Sequence, residues 1–459
     1  MLAVAAALGA GCDTLAPPYE RPAAPVAPHY PAEPAGPTAP PAAKPAAGIA
    51  WQDFFADPRL QRLITLALQN NRDLRVAALN IEQARAQVQV QRSYLFPTLQ
   101  LGATGVSQTG TGDAYTAGFS IASWEIDLFG RIRSLTDASQ QQFFAAEANR
   151  QAVQISLVAA VANTYVALLA DEAQLDVTKR TVATREQTYR LLKLKLDNGA
   201  VSAYDFAQAA GLYEAARATQ ALLVRQRAQD LNALVLLVGT PLPDDLPPAR
   251  ALEAQGLLAD LPAGLPSELL ERRPDLRAAE FQLMAANANI GAARAAFFPT
   301  ITLTAAAGAA SSDLSELFSS GGWTFAPRIT VPIFDAGRNQ ANLEISEAGR
   351  EIAVALYQKA IQSAFREVAD ALAGRATFGE QLRAQRAQLD YEQTRYRLAD
   401  LRYRNGASSF LDVLDAQRAL FQAQQALLVA QASQVQNLVT LYKVLGGGWK
   451  FEGSANGGG

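Results

Sequence analysis

Asp412 and Asp415, three residues apart in the stretch SSFLDVLDAQRAL (408–420), are the residues whose type and spacing point most clearly to chemistry. On a helix, residues three apart share a face, so the two carboxylates repel each other modestly and some benefit must outweigh that. Carboxylate-only catalysis is one conceivable use, and little else in the chain supports catalysis. Among 459 residues there are one His, one Cys and two Met, and the lone His29 lies in a proline-rich stretch. A histidine general base or a Cys/His metal centre is therefore excluded in practice, and neither an enzyme nor a cofactor is expected. Lys plus Arg (40) are slightly outnumbered by Asp plus Glu (43), with no basic block, so nucleic acid is not an expected partner.

The single cysteine raises a different possibility. MLAVAAALGAGC (1–12) reads as the apolar core of an export signal followed by small residues and Cys12. One cysteine cannot form an internal disulfide, and its position is that of the lipid-bearing cysteine of a bacterial lipoprotein. Gly9 replaces the usual leucine, and no Lys or Arg precedes the apolar run, so the true start is expected upstream. An ordinary secretory signal with an incidental thiol is the alternative. Asp13 is a residue that in some bacteria retains lipoproteins in the inner membrane. Residues 13–50 hold eleven of the 23 prolines among many alanines, a composition that reads as an extended tether ahead of a body beginning near Trp51.

The elements that must position the aspartates come from an internal duplication. RDLRVA (72–77) recurs as PDLRAA (274–279), LFPTLQL (95–101) as FFPTITL (297–303), and DNGAVSAYDF (197–206) as RNGASSFLDV (404–413). Each half has one plan: a helix, two strands, a very long helix, a turn and another helix. The first half spans 51–245 with helices at 57–94, 134–197 and 203–238. A linker covers 246–265, and the second half, 266–446, has helices at 266–296, 339–404 and 409–445. A glycine-rich tail, 447–459, is expected to be disordered. Helices of about 65 residues extend about 95 Å. Asn198-Gly199 and Asn405-Gly406 tolerate left-handed backbone and let the next helix fold back antiparallel.

Between the first two helices of each half, TLQLGATGV (98–106), YTAGFSIA (115–122), TITLTAAA (300–307) and WTFAPRITVPI (323–333) alternate as strands do. Each is long enough for a tilted strand to cross a bilayer, although a soluble sheet packed on helices would look similar. No run of eighteen uninterrupted apolar residues appears, which speaks only to spanning helices.

The last helix carries two seams with 3,4 spacing, one through Phe410, Leu414, Gln417, Phe421 and Gln424, the other through Val413, Ala416, Leu420, Ala423 and Leu427. Such spacing means coiled-coil packing, and two seams mean a neighbour on each side, so these helices can build a curved wall. One broad stripe in an ordinary bundle is the alternative. Four strands cannot close a barrel in lipid, because a free edge leaves backbone groups unpaired. Two copies give eight strands and a filled interior; three give twelve and a lumen.

YERP (19–22), WQDFFADPRLQRLI (51–64), NNRDL (70–74), WEIDLFGRIRS (124–134), ELLERRPDLRAAE (268–280), ARAAFFPTI (293–301), PIFDAGRN (332–339) and YRNGASSFLDVLDAQRALFQAQ (403–424) resemble the TolC-type outer-membrane efflux proteins, in the lipoprotein branch that includes OprM and NodT. The resemblance implies an α+β membrane protein. It is expected to be a homotrimer with a twelve-stranded outer-membrane β-barrel, four strands per subunit, continuous with a long periplasmic α-helical coiled-coil barrel. The implied partners are outer-membrane lipid, a periplasmic membrane-fusion adaptor and an inner-membrane RND-type transporter, in a Gram-negative bacterium. The function is then a passive exit duct for drugs or other small molecules. A duct for type I protein secretion shares the architecture, and a soluble periplasmic coiled-coil scaffold would leave the strands unexplained.

In that family an Asp-Val-Leu-Asp run at this helix start forms the periplasmic entrance, and Asp412 and Asp415 match it. Ser409 as N-cap, with Asp412 near the positive end of the helix, would account for Asp412 but not for Asp415, which lies past the first turn. Three copies of each would form a ring of charge that favours cations. The family also holds the entrance shut through links between coils. Tyr403 matches the tyrosine of one link, unless it is a plain seam aromatic, and Asp205, the repeat partner of Asp412, matches its aspartate. A second link in some relatives uses an arginine where this chain has Ser408, which leaves Arg418 as the candidate to pair across the interface.

Overall fold

The computed structural model describes residues 14–31, 46–109, 112–257, 261 and 266–449. Cys12 and residues 450–459 of the expected tail lie outside the described residues. The helices longer than about one turn are α1 (Pro58–Asn70), α2 (Arg72–Ser93), α3 (Arg131–Asp197), α4 (Ala203–Val238), α5 (Pro266–Arg272), α6 (Pro274–Ala295), α7 (Arg338–Arg404) and α8 (Phe410–Val444). The strands are β1 (Leu99–Gln108), β2 (Gly112–Ile126), β3 (Thr300–Ser311) and β4 (Gly321–Thr330). The chain forms two compact units, one drawn from Met1–Pro25, Ala77–Arg150 and Pro274–Gln362, the other from Val26–Val76, Gln151–Arg273 and Ser363–Gly459. The 67-residue helices α3 and α7 contribute to both.

The first unit holds one antiparallel sheet of order β1-β2-β3-β4. Its register sorts side chains by polarity. Leu101, Phe119, Ala307 and Trp323 form one cross-strand row, and Leu99, Ile121, Ala305 and Phe325 the next. The intervening rows are Gln100, Ser120, Ala306 and Thr324, then Gly102, Gly118, Gly308 and Gly322. Because successive residues point to opposite faces, these rows make one face apolar and the other polar or small across the middle of the sheet. A bulge between Ile121 and Trp124, with Ser123 at φ 49°, resets the phase so that Trp124 and Ile126 align with Leu303 and Ile301. The Gly118–Gly308 pairing is close: a Cβ on Gly118 would overlap the Ala307 carbonyl oxygen. Leu99, Leu101, Phe119, Trp323, Phe325 and Ile329 are all more than half exposed in the isolated chain.

In the same unit, part of the proline-rich segment expected to be a tether is fastened down. Tyr19 donates to Glu280 (2.9 Å), Arg21 pairs with Glu280 through Nε and Nη2 (2.6 and 3.0 Å), and Asn287 donates to the Pro17 carbonyl (2.7 Å). An extended chain cannot build a core, but it can lay a few polar side chains on one.

The second unit packs Trp51, Phe54 and Phe55 beneath Tyr442, whose ring stacks on Phe54 at 4.0 Å and whose hydroxyl donates to the Ile49 carbonyl (2.7 Å). Tyr30 stacks on Phe365 at 5.1 Å here, a second anchor of the same segment. Gly447 and Gly448 are buried and Gly447 lies against the Tyr442 ring, so the packed chain runs to Trp449, past the residue where the mobile tail was expected to begin. Absence of a side chain is what lets Gly447 sit on the ring. α3 includes a stretch long and apolar enough to cross a membrane, yet 56% of it is buried within the protein, as in a core helix.

Two helices expected to be continuous are broken, at Asn71 and Arg273, and the breaks are repeat equivalents. Asn71 is extended (φ −61°, ψ 133°); its Nδ2 donates to the Leu237 carbonyl (2.9 Å) and its Oδ1 receives the Leu74 N–H (2.9 Å). Arg273 precedes Pro274, which disfavours helical backbone at that position, and its Nη1 donates to the Val444 carbonyl (3.3 Å). Opposite each break sits a glycine of positive φ: Gly239 (79°) faces the Asn70 carbonyl and Gly446 (83°) the Arg272 carbonyl, each too close for a Cβ.

Candidate functional site

Both long hairpins turn in the same way. Gly199 (φ 68°) and Gly406 (φ 70°) take left-handed backbone, and Asn198 and Asn405 donate to the carbonyls of Leu194 and Leu401 four residues back (2.7 and 2.8 Å). Just beyond the turns the hairpins share a small core: Leu192 and Ala209 pack with Leu414, flanked by Phe206 and Phe410. This core fixes the starts of α4 and α8, and with them the aspartates.

At the start of α4, Ser202 caps the helix and receives the Asp205 N–H (3.1 Å), while its hydroxyl donates to the Asp205 carboxylate (2.7 Å). Asp205, expected as half of a link between coils, is thus engaged within its own helix. α8 differs. Ser409 occupies the N-cap position but makes no side-chain cap, and Asp412, exposed three residues on, has no hydrogen-bond or ion-pair partner among the described residues. The repeat has therefore left one aspartate occupied and its equivalent free.

Asp415 is not a bare charge. Arg395 of α7 and Arg418 of α8 both bind its carboxylate. The Arg395 hydrogen bond, with further help from Arg418, holds the carboxyl below the usual carboxylate range. Arg418, expected to reach across a subunit interface, is paired within its own chain, because one helical step places it beside Asp415. Arg395 also meets Glu392 (3.2 Å). A groove of about 480 Å³ runs here, lined by Tyr391, Arg395, Leu398 and Arg402 on one side and Ser408, Asp412 and Asp415 on the other. The structure thus brings Asp412 and Asp415 together, with Arg395 as a third member that sequence reasoning missed. The signal for it was present: Arg395 and Asp415 each lie ten residues from Asn405, and residues equidistant from a tight turn face one another in an antiparallel hairpin. Tyr403 packs on Phe410 (ring centres 4.9 Å), and its hydroxyl has no partner among the described residues.

A four-stranded sheet with two unpaired edges, continuous in the chain with two 67-residue helices, fits a membrane channel of the transport class. The sequence profile of the family "Outer membrane efflux protein" matches residues 63–240 and 265–447. The toluene efflux pump outer membrane protein TtgC of Pseudomonas putida is 48% identical over 99% of this chain and 96% of its own length. The antibiotic efflux pump outer membrane protein ArpC of Pseudomonas putida is likewise 48% identical, with coverage of 99% and 96%. The open state of the Neisseria gonorrhoeae MtrE outer membrane channel superposes with a TM-score of 0.88 at 42% identity, covering 95% of this chain and 99% of that one. The chain belongs to the outer membrane efflux protein family. It is an outer-membrane channel of a Gram-negative bacterium, the exit component of an efflux pump, with the helix-rich fold and four-stranded sheet of its solved relatives.

Proposed function

We propose that three copies of this chain close a twelve-stranded barrel and serve a periplasmic adaptor and an inner-membrane RND-type transporter as a passive duct for solvents and antibiotics. The observation that carries the reading is the sheet. Through its middle the rows of large apolar residues lie on one face and the polar and glycine rows on the other, and β1 and β4 each pair on one side only. Such a sheet is acceptable in lipid only when its edges are paired by other copies, and three copies give the lumen that two would fill. The cargo follows relatives named for toluene and antibiotic efflux. Asp412 and Asp415 line the entrance, with Tyr403 at its hairpin turn, and Cys12 carries the lipid that anchors the N-terminus. The test is expression with its neighbouring adaptor and pump genes in a host lacking its own duct. Restored resistance to toluene and antibiotics, a heat-sensitive trimer on a gel and a lipidated Cys12 by mass spectrometry are the expected results. A stable water-soluble monomer that keeps its β content without detergent would overturn the reading.

A further inference from the structure

Arg185 on α3 is 5% exposed and has no acidic partner among the described residues. Its Nη1 donates to the Leu212 carbonyl (2.7 Å), its guanidinium lies 5.1 Å from the centre of the Phe421 ring, and its Nε is buried without a hydrogen bond. Burial lowers its pKa, with no carboxylate to offset the cost. Buried arginines are ordinarily paired, because an uncompensated buried charge is expensive; in this chain Arg273, comparably buried, is held by Glu367 (2.9 Å). Arg185 borders a groove of about 340 Å³ whose walls include Val177, Tyr396, Gln417, Leu420 and Phe421. On the same groove Gln417 donates through Nε2 to the Tyr396 hydroxyl (3.3 Å).

We propose that this groove binds an organic monocarboxylate with an aromatic or branched apolar body. With Nη1 committed to Leu212, the Nε–Nη2 edge has no hydrogen-bond partner among the described residues, and that edge is the one that receives a carboxylate through two parallel charge-assisted bonds. Val177, Leu420 and Phe421 supply apolar wall for the remainder, and the volume lies at the lower end of the range for small-molecule pockets, about 300–1,000 Å³. The site is separate from the groove that holds Asp412, and the assignment does not depend on the efflux reading, since binding is measured on the purified protein without transport.

The experiment is ligand-observed NMR titration of benzoate against the full-length protein in detergent, with benzyl alcohol and acetate as comparators. Benzoate should bind, and each comparator should bind about tenfold or more weakly, because each lacks one half of the match. Arg185→Gln should weaken benzoate about tenfold or more. Gln417→Glu, which places a carboxylate inside the groove, should abolish benzoate binding and raise Tm. It decides the matter if Arg185→Gln fails to assemble. No benzoate binding by the wild type, equal binding of benzyl alcohol or acetate, or benzoate binding unchanged in an assembled Arg185→Gln or in Gln417→Glu would overturn the proposal.

Discussion

With Arg395 and Arg418 both bound to Asp415, the two aspartates of α8 should respond differently to neutralisation. Asp412 has no ion-pair partner among the described residues, so Asp412→Asn should lower cation preference and block by multivalent cations in bilayer recordings. Arg395→Gln should do the opposite, because it unmasks a carboxylate that the guanidinium now screens, and a ring of such groups focuses a field along the axis. Exposed pairs of this kind contribute about 0–1 kcal/mol, so neither change should alter trimer yield. If Arg395→Gln leaves cation preference where it was, the Asp415–Arg395 pair does not moderate it. The pair of aspartates was legible in the sequence through spacing alone. Their inequality was only half legible: the equal spacing of Arg395 and Asp415 from Asn405 signals the partner in the other helix, while nothing in the sequence marks Ser409 as an N-cap that does not cap.

At the scale of helices, α3 and α4 meet through Asp171 and Asp230, two carboxyl groups that share a hydrogen bond. Burial, followed by the charge of Asp230, pushes Asp171 up to about 6 from its usual 3.8. Between the usual 3.8 and about 6 the folded protein therefore holds a proton that the unfolded chain has released. The contribution of this pair to stability is greatest below pH about 4 and falls as pH rises through about 6. Asp171→Asn should remove that part of the pH dependence, raising Tm at pH 7.5 while changing it little at pH 4. A Tm difference that is flat between those pH values would show that the pair does not titrate as described. Much of the helical plan was legible: the turns at Asn198 and Asn405 fall where the repeat puts them, and α3 and α7 end where those asparagines demand. The breaks at Asn71 and Arg273 escaped because the packing that accompanies them lies elsewhere in the chain, at Gly239 and Gly446, whose missing side chains admit the carbonyls of Asn70 and Arg272. Pro274 was a local hint at one break, and Asn71, a good capping residue, at the other.

For the whole molecule, the two faces of the sheet must meet different solvents once the edges of β1 and β4 are paired by other copies. Alternation in the sequence announced the strands and grouped Trp323 with Phe325. Only the register shows that Leu99, Ile121 and Ala305 join Phe325 in one apolar row, and only the bulge before Trp124 shows how that row pattern persists along β2. Phe325 and Thr324 are neighbours on β4 that point to opposite faces, so they test the assignment with one chemical change at two adjacent positions. An arginine on the lipid face of a barrel costs about 2–4 kcal/mol at the bilayer midplane, and a trimer carries three copies of it. Phe325→Arg should therefore sharply reduce the heat-sensitive trimer recovered from outer membranes. Thr324→Arg should assemble and show lowered conductance and weaker cation preference in bilayers, since its charge lies in the lumen. Equal yields for the two variants, or loss of the trimer with Thr324→Arg alone, would mean that the faces have been assigned to the wrong solvents.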